Sequence, residues 1–192
     1  MLKSTKDLRI LDFDIETRKI GFHDGGRFAP AGCEVVILAA SWEGEDEVAT
    51  WSLKPRWSEK DARTIVEAFV RLYDEADAVT GHYIRKFDLP ILNGACLEWG
   101  YAPLSEKLVF DTKVDLASVA GLSQSQENLS ALLKLDADKF HMHDNSWRSV
   151  ARLTPEGLAL AAERVVEDVR QHKVLRRSLT DDGWIKPDVW KP

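Results

Sequence analysis

Asp14 and Glu16 stand two residues apart in the segment DLRILDFDIE (7–16). On a β-strand both carboxylates leave the same face, roughly 6–7 Å apart along the chain. Two carboxylates that close repel each other unless a cation sits between them. Hard oxygen donors select a divalent ion such as Mg²⁺ or Mn²⁺. The plainer alternative is a solvent-facing acidic strand. Leu8 and Ile10, which share that face, weigh against it.

A second cluster lies in GHYIRKFDLPIL (81–92). Asp88 falls at the start of an expected helix, where the dipole stabilises an anion and the carboxylate can face a metal. A helix cap is an equally good reading of the same residue. The third cluster is ERVVEDVRQHKVL (163–175). As a helix it carries an apolar stripe of Leu158, Ala161, Ala162, Val165 and Val169, with Asp168 at the stripe's edge. Asp168 is therefore either a rim acid or a ligand. Arg164, one turn earlier, lies about 40° from Asp168 and should overhang the same ground; Glu163, about 140° away, should face solvent. The Arg164 guanidinium suits a phosphate, or it pairs along the helix with Glu167 or Asp168.

Less specific signals lie nearby. His141 and His143 form a His-x-His pair, but no Cys or further His stands at zinc-ligand spacing. An exposed loop is the main reading, and a proton acceptor above the site the minor one. Trp147, Arg148 and Arg152 either contact a nucleic-acid strand by stacking and phosphate pairing or lie on the core. Arg176 and Arg177 read as a solvated helix end.

These residues must be positioned by a framework that periodicity outlines. Residues 7–16 read as a central strand with apolar residues on both faces. EVVILAASW (34–42) and EVATWSL (47–53) form an expected hairpin. A helix follows Ser58 and Asp61, then a strand in ADAVTGHY (76–83), a helix in DLPILNGACLEWG (88–100), a strand in LVFDT (108–112) and a short helix in ENLSALLKL (127–135). Residues 136–153 read as polar and irregular. A long helix opens at Thr154-Pro155-Glu156 and runs to about residue 178. Strands followed by alternating helices and strands imply an α/β domain with a mixed sheet.

With 192 residues, 44% apolar and 30% charged, the composition is that of a globular protein. One domain over 1–180 with a tail over 181–192 is expected. No run of ~18 uncharged apolar residues predicts a membrane span. The first ten residues have no secretory pattern, and two cysteines fit a reducing cytoplasm. Lys plus Arg is 26 against 32 Asp plus Glu, a net charge of −6. That speaks against a protein that coats DNA, but not against an enzyme that grips one nucleic-acid end through metal ions.

Taken together, the three clusters resemble the DEDD superfamily of 3′–5′ exonucleases, with the ribonuclease H-like fold of polymerase proofreading domains. LDFDIETR (11–18) is similar to the first motif, GHYIRKFDLPIL (81–92) to the second, and the helix around Asp168 to the third. FDT (110–112) and residues 127–135 fall in order between the last two. The resemblance spans about residues 8–179. It implies a ribonuclease H-like mixed sheet flanked by helices, and two Mg²⁺ or Mn²⁺ ions held by Asp14, Glu16, Asp88 and Asp168. In-line hydrolysis needs one ion to activate water and one to stabilise the leaving oxygen. The resemblance also implies a substrate that is a nucleic-acid 3′ end, single-stranded DNA foremost, with Thr17 against the terminal nucleotide. A separate DNA polymerase is the implied partner.

Three positions depart from the pattern. Where the family has a Tyr four residues, or a His five residues, before the last Asp, this chain has Arg164 and Glu163. Arginine cannot act as a base, which leaves Glu163 or His143 as candidates. Tyr83 replaces the usual Asn of the second motif. Asp12 replaces an apolar residue, either by local repacking or as an outer acid of the metal site. The leading expectation is an exonuclease in which Arg164 contacts a phosphate. The alternatives are a weakened relative that binds nucleic acid or a polymerase, and a ribonuclease H-like endonuclease.

Overall fold

The computed structural model describes residues 7–20, 32–119, 121–135 and 142–192. The central strand β1 is Ile10–Lys19, three residues further along than periodicity alone predicts. Pairing decides its ends. The Arg9 amide donates to Asp77 Oδ2 at 2.9 Å, outside the ladder. Thr17, Arg18 and Lys19 stay extended because β2 (Cys33–Trp42) runs antiparallel beside them as far as Lys19↔Cys33. The register slips between Glu16 and Thr17: β1 takes one step while β2 takes two, from Ile37 to Val35. A bulge of this kind twists the strand locally, here at a candidate ligand.

β3 (Ala49–Ser52) completes the expected hairpin with β2. α1 (Glu59–Glu75) starts where the Ser58 hydroxyl accepts from the Asp61 amide at 3.2 Å. β4 (Ala78–Gly81) lies parallel to β1, and α2 (Asp88–Glu98) follows it. β5 (Lys107–Asp111) lies parallel to β4. Then come α3 (Gln126–Leu132), α4 (Asp144–Ala151), α5 (Pro155–Asp181) and β6 (Asp188–Trp190). The strand order is β3-β2-β1-β4-β5-β6, antiparallel at both edges and parallel in the middle. This is the mixed α/β sheet with flanking helices that the sequence predicts.

The two faces of β1 go to different partners. Phe13 packs on Phe69 of α1, ring centroids 5.1 Å apart. Leu11 and Ile15 join the same core with Ile65, Leu89 and Leu92. The opposite face meets α5, whose stripe of Ala161, Val165 and Val169 is fully buried as expected. A smaller core holds Ile10, Phe110, Leu129, Leu175 and Leu179 together with Ile185. So the C-terminal segment is anchored: Ile185 is buried and β6 pairs antiparallel with β5.

Residues 144–151, expected to be irregular, form α4. Its polar residues face out, while Trp147 and Val150 pack inward. Gly157 permits the contact with α5, since a Cβ there would lie 2.4 Å from the Ser149 carbonyl carbon and 2.6 Å from the Val150 amide. No described helix is long and apolar enough to cross a membrane.

Candidate active site

α5 runs antiparallel to β1 across its polar face. Two residues of strand advance roughly 6–7 Å and four residues of helix roughly 6 Å, so the two elements stay in step. Glu16 therefore meets Arg164, Asp14 meets Asp168, and Asp12 meets His172 and Arg176.

At the middle step, Asp14, Glu16 and Asp168 each present a carboxylate oxygen, and these oxygens lie within 4.8 Å of one another. Asp88 joins them from α2, buried, with Oδ1 accepting from the Ile15 amide at 3.3 Å. It is the first residue of α2; the cap position is Phe87, which makes no side-chain cap bond. The reading of Asp88 as the cap therefore does not hold. Crowding disturbs the acids. Burial, then the charges of Asp88, Asp168 and Glu16, push Asp14 well above the usual carboxylate range, against the pull of Arg164. Burial raises Asp88 to about 8, and the charges of Asp111 and Glu16 add to it, although backbone amides oppose the shift. The helix start should favour the anion here, but burial outweighs it. Clustered hard oxygen donors with too little counter-charge fit a divalent cation.

Arg164 supplies part of that counter-charge. Nε donates to Glu16 Oε1 at 2.9 Å and Nη2 lies 3.1 Å from Asp168 Oδ2. Its guanidinium carbon stands 5.4 Å from the Trp147 ring centroid. Arg164 thus overhangs the site as its helical position predicts. It makes the foreseen ion pair with Asp168 and a second, across elements, with Glu16. Glu163 is exposed, also as expected. His143 is exposed at the N-cap of α4. Neither Glu163 nor His143 belongs to the cleft lining, and His141 lies outside the described residues.

The turn that delivers Asp88 is braced by a residue the sequence reading passed over. Asp111 Oδ1 accepts from the amides of Tyr83, Lys113 and Val114 at 2.9–3.0 Å, and Oδ2 from the Arg85 amide at 3.0 Å. Arg85 also pairs with Asp115. Tyr83 is held at φ 73°, a region costly for a non-glycine residue. Gly81 is required just before it, because a Cβ would lie 2.9 Å from the Phe13 carbonyl oxygen. The Asp at the end of LVFDT was the available signal.

Asp12 belongs to another network. It is fully buried, with His172 Nδ1 at 3.2 Å and Arg176 Nε at 3.2 Å from its Oδ1. Burial alone would raise its pKa, but His172 and Arg176 outweigh burial and hold it below the usual range. Asp12 is therefore held by His172 and Arg176 of α5, apart from the acids that could hold a metal. Arg176 is only 4% exposed, which corrects its reading as solvated; Arg177 is exposed and pairs with Glu43. Lys173 is buried too, donating to Ser41 Oγ and the Trp42 carbonyl at 2.8 Å.

The acids open into a cleft of about 680 Å³. Thr17, Lys19, Tyr83, Phe87, Lys113 and Trp147 line it. Lys113 Nζ sits 4.2 Å from the Tyr83 ring centroid. His82, on the cleft wall, bonds through Nδ1 to Thr112 Oγ1 at 2.9 Å. Arg148 and Arg152 are exposed. Among the described residues, no group of three converging acids lines a smaller hollow of about 310 Å³ beside Val66, Ile91 and Trp99.

No protein-family model and no curated protein sequence matches the chain. Among solved structures it is similar to the family B DNA polymerase from the hyperthermophilic archaeon Pyrobaculum calidifontis, with a TM-score of 0.66 and 17% identity. The match covers 90% of this chain and 24% of the polymerase chain, so the chain spans about a quarter of that protein's length. At this identity the likeness establishes the fold: a mixed six-stranded sheet with flanking helices, shared with part of a DNA polymerase.

Proposed function

We propose that the chain is a metal-dependent 3′–5′ exonuclease that hydrolyses phosphodiester bonds at nucleic-acid 3′ ends, single-stranded DNA foremost. One observation carries this reading. A strand, a helix start and a late helix bring Asp14, Glu16, Asp88 and Asp168 to one cleft, three of them with oxygens within 4.8 Å. These four acids are the residues to hold Mg²⁺ or Mn²⁺, two ions in all, which when bound supply the charge stabilisation that in-line hydrolysis requires. Thr17, on the wall of the same cleft, is the residue we assign to the terminal nucleotide. Tyr83, Phe87 and Trp147 offer aromatic faces for unpaired bases. Lys19, Lys113 and Arg164 offset phosphate charge. The likeness to a DNA polymerase makes such a polymerase the partner to test.

A second reading has its own observation. Arg164 already answers Glu16 and Asp168, as suits a weakened relative that binds nucleic acid without cutting it. One assay separates these. A 5′-labelled single-stranded DNA, its RNA counterpart and a circular single strand are incubated with and without Mn²⁺. An exonuclease shortens the linear strands stepwise from the 3′ end and spares the circle, and Asp14→Asn abolishes the ladder. Binding without shortening favours the module. Cutting of the circle, or near wild-type turnover by Asp14→Asn, refutes the proposal.

A further inference from the structure

We propose that Arg164 is a resident counter-ion of the carboxylate cluster, which divalent metal displaces, so that this one side chain sets the metal affinity and couples it to phosphate binding. The inference rests on the metal-dependent reading above. Arg164 bridges two elements, with Nε on Glu16 of β1 and Nη2 on Asp168 of its own helix. Glu16, Asp168 and Arg164 have side chains only 13%, 10% and 16% exposed. The guanidinium is thus held inside the cluster and not merely near it.

Glu16 and Asp168 are also two of the three residues whose oxygens converge for a cation. A carboxylate oxygen that accepts from a charged N–H is a poorer donor to a metal. A guanidinium cannot lose its proton to yield the site. Metal and Arg164 therefore compete for the same oxygens, and the side chain must move. Trp147, 5.4 Å from the guanidinium carbon on the cleft wall, gives it an aromatic face to rest on. Freed into the cleft, the guanidinium fork matches a phosphate. Coupling between sites is reciprocal. A phosphate that draws Arg164 away from Glu16 and Asp168 must tighten metal binding by the same factor by which metal tightens phosphate binding.

The test is Mn²⁺ titration of chelator-stripped protein, followed by calorimetry and by the spin-resonance signal of free Mn²⁺. Arg164→Met keeps the side-chain bulk and removes the charge. It should bind Mn²⁺ about tenfold more tightly than wild type, the effect of roughly one charge-assisted hydrogen bond. Arg164→Lys, whose compact ammonium cannot span both carboxylates, should fall between them. A phosphorothioate single strand should tighten Mn²⁺ binding more in wild type than in Arg164→Met, the difference being the share of the coupling that Arg164 carries. If Arg164→Met does not stay folded without metal, wild type against Arg164→Lys decides. Equal or weaker Mn²⁺ binding by the variants would overturn the inference and leave the metal reading standing. No Mn²⁺ binding by any of the proteins, wild type included, would overturn the metal reading and this inference with it.

Discussion

Asp88→Asn should make the metal-free protein more stable at pH 8 and leave its stability near pH 4 almost unchanged. In the unfolded chain Asp88 loses its proton near 3.8; in the folded protein burial and neighbouring acids move that to about 8. Between those values the folded state holds a proton that the unfolded state has released, so stability falls as pH rises through the window. At 1.36 kcal/mol per unit, the whole displacement is a ceiling of roughly 5–6 kcal/mol at pH 8. The neighbouring acids share that penalty and can relax, so about 2 kcal/mol is the expected gain from removing one charge. Asparagine is nearly isosteric, and its amide oxygen can keep the bond from the Ile15 amide. For a chain of this size, about 2 kcal/mol corresponds to a Tm roughly 4–8 °C higher. Urea denaturation in the presence of a chelator, at pH 4, 6 and 8, reads the slope directly. Wild type should lose stability across the series while the variant stays flatter. A variant less stable than wild type at pH 8 would refute the reasoning, since it would mean that the Asp88 charge is already compensated.

The remaining predictions concern the framework. Asp12→Asn should destabilise the protein by about 1.5–3 kcal/mol at neutral pH, because Arg176 and His172 lose their buried carboxylate and Arg176 keeps its pair with Glu43. The native Asp12 pKa is depressed, so its contribution is present above the ordinary value near 3.8 and is lost as pH falls through the lower folded value. Denaturant midpoints at pH 7 and pH 3 should show the gap closing in acid, with Mn²⁺ affinity unchanged. Lost Mn²⁺ binding at unchanged stability would return Asp12 to the metal site. Gly157→Ala should cost about 1–3 kcal/mol by overpacking, because backbone atoms of Ser149 and Val150 occupy the space. A thermal melt that matches wild type would show that α4 can shift freely.

Apolar runs and periodicity located β2, α1 and the stripe of α5 that carries Val165 and Val169, while Pro90 and Gly100 bounded α2. Periodicity failed where polar chemistry decides. α4 is short and mostly polar, and its packing depends on a glycine ten residues after Trp147. β1 reaches Lys19 only because β2 pairs there. Asp14, Glu16, Asp88 and Asp168 were found as residues of the right type in a recognised order, and the fold brings them to one cleft. Arg176 reads as solvated by its residue type, but it lies on the face of α5 packed against β1, paired with Asp12 and Glu43, whereas Arg177, one residue on, is exposed. Asp111 accepts from the nearby amides of Lys113 and Val114, as a turn acid does, but its bracing of Tyr83 and Arg85 is set by the fold and has no local pattern.

The feature that joins these residues is a spacing. Arg164, Asp168, His172 and Arg176 recur every four residues on α5, while Glu16, Asp14 and Asp12 recur every two on β1. In step, an acid meets a base at one end, and an acid meets a histidine and an arginine at the other. Only the middle step sets acid against acid, Asp14 against Asp168. A sequence chosen for stability alone would place a base at 168, as it has at 164 and 176. Local conflict of this kind, framed by two satisfied pairs, costs folding free energy and is the mark of a site kept for something other than stability. Arg164, shared with Glu16, reaches Asp168 at that step, and the balance stays negative where the carboxylate oxygens converge. That is the physical case for a cation there, and it stands on the register of one strand and one helix.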